Sequence, residues 1–116
     1  MTTLQEQFEK DFPDKSVKVI DAAGKYQNSD FTNCDLDLRE YRELEKLDLG
    51  GSKKITSLNL SEQKELNYLD LVGVGLTSVD FLNDLPDPEK LEILTIFCNK
   101  IRPTDISIFS KFVNLT

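Results

Sequence analysis

Apolar residues recur along this chain in one spacing. Leu44-Glu-Lys-Leu47-Asp-Leu49, Leu66-Asn-Tyr-Leu69-Asp-Leu71 and Leu91-Glu-Ile-Leu94-Thr-Ile96 are three copies of one phrase, 22 residues apart from Leu44 to Leu66 and 25 from Leu66 to Leu91. A further start at Leu115, in the closing Phe112-Val-Asn-Leu115, would follow Leu91 after 24. A second apolar cluster follows each phrase: Ile55, Leu58 and Leu60, then Leu76, Val79, Phe81 and Leu82, then Ile101, Ile106, Ile108 and Phe109. Both halves of each unit therefore line a core. A unit of this length cannot bury its apolar face alone, so the pattern predicts neighbours stacked around one continuous core.

Upstream, Val17-Lys-Val-Ile20-Asp-Ala22 reads as an earlier phrase, 27 residues before its equivalent at Leu44, with Phe31, Leu36 and Leu38 as its second cluster and Ala23 to Asp30 as an irregular insert. The N-terminus differs. Thr3-Leu-Gln-Glu6 is a capping-box pattern, Leu4, Phe8 and Phe12 recur every four residues, and Pro13 follows as a stop, which predicts a helix from about Thr3 to Asp11. Its apolar stripe would cover the open side of the first unit, so residues 1–13 form a cap and residues 14–116 about four repeats. At the other end no equivalent cap is visible, which leaves edge-to-edge self-association open there. Between phrases, Leu82-Asn-Asp-Leu-Pro-Asp-Pro-Glu89 and Pro103-Thr-Asp-Ile-Ser-Ile-Phe109 carry prolines incompatible with a central strand and are expected as turns or short helices.

The phrase resembles the leucine-rich repeat family, whose unit reads L-x-x-L-x-L-x-x-N-x-L; the third copy, Leu91 to Ile101 with Asn99, matches it throughout. The resemblance implies a short α/β solenoid with a parallel concave sheet, an N-terminal capping helix, and an irregular or short-helix convex side. In texture, Asn33-Cys-Asp-Leu-Asp-Leu-Arg-Glu-Tyr41, Ile55-Thr-Ser-Leu-Asn-Leu60 and Phe81-Leu-Asn-Asp-Leu-Pro-Asp-Pro-Glu-Lys-Leu91 are similar to the expanded intracellular leucine-rich repeat proteins of arbuscular mycorrhizal fungi. In those proteins the repeats sometimes accompany kinase-like domains, which implies protein contacts, a scaffold or signalling setting and a cytoplasmic location. The chain departs from the consensus where Lys25, Ser52 and Val74 stand in place of the asparagine. Loss of that side chain would remove hydrogen bonds to loop backbone in the early repeats.

In L-x-x-L-x-L the leucines point inward, so by the two-residue period of a strand the residues between them face outward. These form columns across the sheet: Val19, Lys46, Tyr68 and Ile93; Asp21, Asp48, Asp70 and Thr95; and, past the strand ends, Ala23, Gly50, Val72 and Phe97. Tyr68, Ile93, Val72 and Phe97 would make an apolar patch beside an acidic column, so Lys46, Asp48, Tyr68, Asp70, Val72, Ile93, Thr95 and Phe97 are the candidate partner-binding residues. Val72 and Phe97 could instead turn back into the core, and the aspartates could simply keep the face soluble. Stacked carboxylates repel, so Lys46, Lys18, solvent or a basic partner should offset them. A calcium site needs six to eight oxygens, more than one carboxylate per strand supplies, so no metal is expected.

Composition narrows the classes further. A net charge of −7 with scattered basic residues argues against nucleic acid and points to a protein or peptide partner, basic if the acidic column is used. With no histidine, and no phosphate-binding glycine motif, Ser-His-Asp and Cys-His catalysis is impossible within the chain; neither an enzyme nor a cofactor is expected. Cys34 and Cys98 lack metal-ligand spacing and are read as reduced thiols. Asn59-Leu-Ser61 and Asn114-Leu-Thr116 match the glycosylation sequon, but Met1-Thr-Thr-Leu-Gln-Glu6 lacks a signal pattern, and no apolar run is long enough to span a membrane. The leading expectation is a non-catalytic interaction module using the sheet face. The alternative is a structural repeat fragment of a larger, kinase-like signalling protein with no ligand of its own.

Overall fold

The computed structural model describes residues 3–27, 30–77 and 80–96. Val79, Phe97, Cys98, Asn99, the third-unit cluster from Ile101 to Phe109 and the start at Leu115 lie outside the described residues.

Helix α1 spans Leu4–Asp11. Its start is decided by the capping box: the Glu6 N–H donates to Thr3 Oγ1 at 3.1 Å and the Thr3 N–H donates to Glu6 Oε1 at 3.3 Å. Two of the helix's orphan donors are thereby satisfied. Six three-residue strands follow in the described residues: β1 Val19–Asp21, β2 Asp35–Asp37, β3 Lys46–Asp48, β4 Ser57–Asn59, β5 Tyr68–Asp70 and β6 Ile93–Thr95. Two 3₁₀ helices, Asp80–Asp84 and Pro88–Lys90, lie between β5 and β6. The fold is α/β, one helix with parallel sheets. No helix among the described residues is long and apolar enough to cross a membrane.

Strands β1, β3, β5 and β6 form one parallel sheet in that order. Its register pairs Val19 with Lys46, Lys46 with Tyr68, and Tyr68 with Ile93, so neighbouring strands are offset by the 27, 22 and 25 residues that separate the phrases. The alternation explains why. Ile20, Leu47 and Leu69 are buried at the middle of their strands, and Ala22, Leu49 and Leu71 are buried two residues on. A slip of one residue would turn these apolar side chains to the outer face. Leu44, Leu66 and Leu91, which open the phrases, are also buried, whereas Leu94 and Ile96 pack against this core half-covered.

The opposite side corrects one expectation. It is not irregular in the first two units: β2 and β4 form a second parallel sheet, pairing Asp35 with Ser57, Leu36 with Leu58 and Asp37 with Asn59. Asp35-Leu-Asp-Leu38 and Ser57-Leu-Asn-Leu60 alternate polar and apolar residues with period two, and their leucines are buried. In the following segment the prolines at 86 and 88 interrupt such a run, and the chain coils into the two short 3₁₀ helices, as expected there.

Helix α1 closes the outer edge of this second sheet. Gln5 Nε2 donates to the Asp37 carbonyl at 2.9 Å while Gln5 Oε1 accepts the Asp37 N–H at 2.7 Å. The side-chain amide thus replaces the backbone of a missing neighbouring strand, removing a pairing edge. Beneath it Leu4 and Phe8 are buried, with the Phe8 ring 5.6 Å from that of Tyr41 in an edge-on arrangement and 5.9 Å from that of Tyr26. Tyr26 lies within the stretch read as an irregular insert, yet it is a core residue whose hydroxyl donates to Asp11 at 2.8 Å. Lys15 locks the same corner, 2.6 Å from Glu9 and 4.6 Å above the Tyr41 ring.

Candidate functional site

The two sequence-derived columns stand in register on the outer face of the four-stranded sheet. Lys46, Tyr68 and Ile93 are neighbours in one, and Asp48, Asp70 and Thr95 in the other, two residues further along each strand. Val19 and Asp21 extend the columns onto β1. Val19 is 58% and Ile93 40% exposed, the two exposed large apolar side chains among the described residues. Tyr68 and Val72 are half-buried, so Val72 neither turns fully into the core nor stands fully clear of it. Phe97 lies outside the described residues. The patch shown is therefore Tyr68, Ile93 and the open part of Val72.

The aspartates have a local role that the columns alone did not reveal. Asp21, Asp48 and Asp70 each accept, through Oδ1, the backbone N–H two residues on: Ala23 at 3.3 Å, Gly50 at 2.9 Å and Val72 at 3.1 Å. Asp37 and Asn59 do the same at the ends of β2 and β4, to Arg39 at 3.0 Å and Ser61 at 3.1 Å. Such Asx turns satisfy a backbone donor where the ladder ends and bend the chain out of the strand. The signal was in the sequence, as an Asp or Asn closing each of these strands.

That role uses one oxygen of each carboxylate, and among the described residues no ion pair opposes its charge. Lys18, expected to help, lies 4.0 Å from Glu45 instead. Neither it nor Lys46 makes an ion pair with Asp21, Asp48 or Asp70. By contrast Asp37, on the other sheet, is held by Arg39 at 2.7 Å. Hydrogen bonds from the Arg39 side chain, outweighing the opposing cost of burial, hold the Asp37 carboxyl below its usual range. In water, unit charges roughly 5 Å apart repel by about 0.8 kcal/mol, so each neighbouring pair in the aspartate column carries a modest penalty.

Grooves among the described residues border other side chains: one runs along Gln5, Glu9, Asp37 and Arg42, and another along Thr56, Leu76 and Phe81. Small molecules are held in enclosing pockets, whereas an open sheet face suits a macromolecular surface. Among the described residues, no group of three or more His, Cys, Asp or Glu side chains is placed to hold a metal ion.

Two buried polar residues support the face from behind. Ser52 is fully buried and its Oγ donates to the Ala22 carbonyl at 3.0 Å. It therefore ties the loop after β3 to the backbone at the end of β1. Gln63 was not singled out from the sequence. Its side chain is buried at the turn after β4, and Nε2 donates to the carbonyls of Leu38 and Tyr41 in the preceding turn. Ser52 on one side and Gln63 on the other thus tie each turn to its upstream equivalent.

Comparison of the chain with protein-family models, curated proteins and solved structures gives no match in any of the three.

Proposed function

We propose that this chain is a short leucine-rich repeat solenoid and a non-catalytic interaction module, which binds a protein or peptide partner through the concave β1-β3-β5-β6 face in the cytoplasm. The observation that carries the reading is the register of that sheet. It lines up Lys46, Tyr68 and Ile93 beside Asp48, Asp70 and Thr95 on one outer face, while the leucines between them make the core. A continuous surface with an apolar centre and charges around it has the make-up of an interface. The acidic column favours a basic partner by charge complementarity.

The test is quantitative partner capture with wild type and with the outward-facing variants Tyr68→Ala, Ile93→Ser and Asp70→Lys, each checked for unchanged far-ultraviolet dichroism. The reading requires a captured partner to be lost from all three. Retention of every partner by the folded variants would refute it.

A further inference from the structure

Resting on the reading that this sheet face docks a partner, we propose that its occupant is a basic amphipathic α-helix lying across the strands, parallel to the columns. The first ground is dimensional. Neighbouring strands present equivalent side chains roughly every 4.8 Å, close to the roughly 5.4 Å rise of one helical turn, whereas alternate residues of an extended peptide recur at roughly 6.7 Å. A helix set along the columns keeps one side chain per strand over all four strands; an extended chain loses step after two. Four strands span roughly 14 Å, or about ten residues of helix. The second ground is lateral. The two columns are two residues apart along each strand, roughly 7 Å, which lies within the contact width of one helix roughly 10 Å across.

Charge complementarity supplies the sign. Asp21, Asp48 and Asp70 keep one Oδ1 on backbone N–H groups and have no cationic partner among the described residues, so a row of Arg or Lys on one flank of the helix meets a row of carboxylates. Its apolar stripe, at i and i+4, lands on Tyr68 and Ile93. Lys46 interrupts the apolar column next to Tyr68 and makes no ion pair among the described residues, so the turn facing it carries a carboxylate. This gives the helix a direction as well as a face.

The test uses fluorescence anisotropy with three synthetic peptides of one length. The first is a helix-favouring peptide with leucines at i and i+4, arginines one residue after each, and a glutamate placed for Lys46. The second has the same pattern broken by two prolines, and the third has its arginines replaced by glutamate. Each is titrated against wild type, Tyr68→Ala and the double variant Asp48→Asn/Asp70→Asn. Asparagine keeps the Oδ1 acceptor of each Asx turn and removes only the charge, so the double variant separates the structural role from the electrostatic one.

The first peptide is expected to bind, to weaken about tenfold with the double variant and with Tyr68→Ala, and to weaken with added salt. The other two are expected not to bind. If the proline peptide binds equally well and with the same dependence on Tyr68 and the aspartates, the helix is overturned while the docking face stands. Binding that ignores both variants, or no binding by the first peptide, also overturns the proposal; partner capture by the face variants then decides the docking face separately.

Discussion

Gln63 offers a test of how the turns are held together, because two substitutions of similar size should have opposite consequences. Wild-type Gln63 is 1% exposed, its Nε2 donating to the Leu38 and Tyr41 carbonyls and its Oε1 left without a partner among the described residues. Two carbonyl oxygens on one side settle which end of the amide faces them. Each carbonyl also has a backbone donor, the Tyr41 N–H at 2.9 Å and the Leu44 N–H at 3.3 Å respectively, so neither is stranded if the side chain goes. Gln63→Met then forfeits two hydrogen bonds of about 1 kcal/mol each, but also removes a buried unsatisfied oxygen that costs about 1–3 kcal/mol. The expected net change is within about 1 kcal/mol of zero.

Gln63→Glu reverses the balance. A carboxylate there sets one oxygen against the two carbonyls that Nε2 now meets and leaves the other without a hydrogen-bond donor among the described residues, and an uncompensated buried charge costs about 3–5 kcal/mol. The variant's carboxyl is therefore raised above its unfolded value of about 4.3, so its neutral form is favoured in the folded protein. Its penalty is absent below that unfolded value and grows as the pH rises through it toward the folded one. Urea unfolding followed by far-ultraviolet dichroism, with wild type measured in parallel at each pH, should show Gln63→Glu destabilised at neutral pH and recovering near pH ~4. A Gln63→Glu variant as stable as wild type at neutral pH, or one whose deficit ignores pH, would refute the buried-donor account of this turn.

Three further outcomes are expected. A methyl group on Gly75 would lie 2.6 Å from the Lys53 carbonyl oxygen and 2.8 Å from that of Ile55, both backbone, so Gly75→Ala should lower stability by about 2 kcal/mol or more, read as a shift in urea midpoint without loss of cooperativity; no shift would mean the turns are not packed this closely. Gln5→Leu removes both hydrogen bonds to the Asp37 backbone and reopens the β2 edge, so it should cost about 1–2 kcal/mol and promote concentration-dependent association, measured by light scattering; a variant as stable and as monodisperse as wild type would rule out that role. Burial first, and then the hydrogen bond to Asp11, raise Tyr26 above its ordinary value of 10.0, so its contribution is fully present below that value and is lost as pH rises above it. Tyr26→Phe should therefore cost about 1 kcal/mol at neutral pH and make the alkaline loss of stability shallower, with Tyr41, raised mainly by burial, accounting for a remaining slope.

The aspartate column shows how one residue can serve fold and surface together. Its first oxygen ends a strand, which selects Asp or Asn at that position. Asn would do this equally well, as Asn59 does at the end of β4. The charge on Asp21, Asp48 and Asp70 is therefore not required by the turn. It belongs to whatever the face meets, solvent or partner, and Asp→Asn variants measure that share without disturbing the fold.

Much of the candidate face was legible in the chain alone. The phrase Leu-x-x-Leu-x-Leu carries its own alternation, and spacings of 27, 22 and 25 residues place Lys46 beside Tyr68 and Tyr68 beside Ile93, because parallel strands in register inherit the interval between like phrases. Thr3 and Glu6 likewise announce the helix, since capping acts between residues three apart. What tertiary structure decided are the contacts between segments distant in sequence: Gln5 on Asp37, Gln63 on Leu38 and Tyr41, Tyr26 on Asp11, and Lys18 beside Glu45 rather than the aspartates. A polar side chain in the sequence looks alike whether it meets water or a carbonyl, and only the packed chain determines which. The periodic core and the columns follow from local pattern, whereas the tie between turns, the closed edge and the pairing of charges depend on where the folded chain brings its segments together.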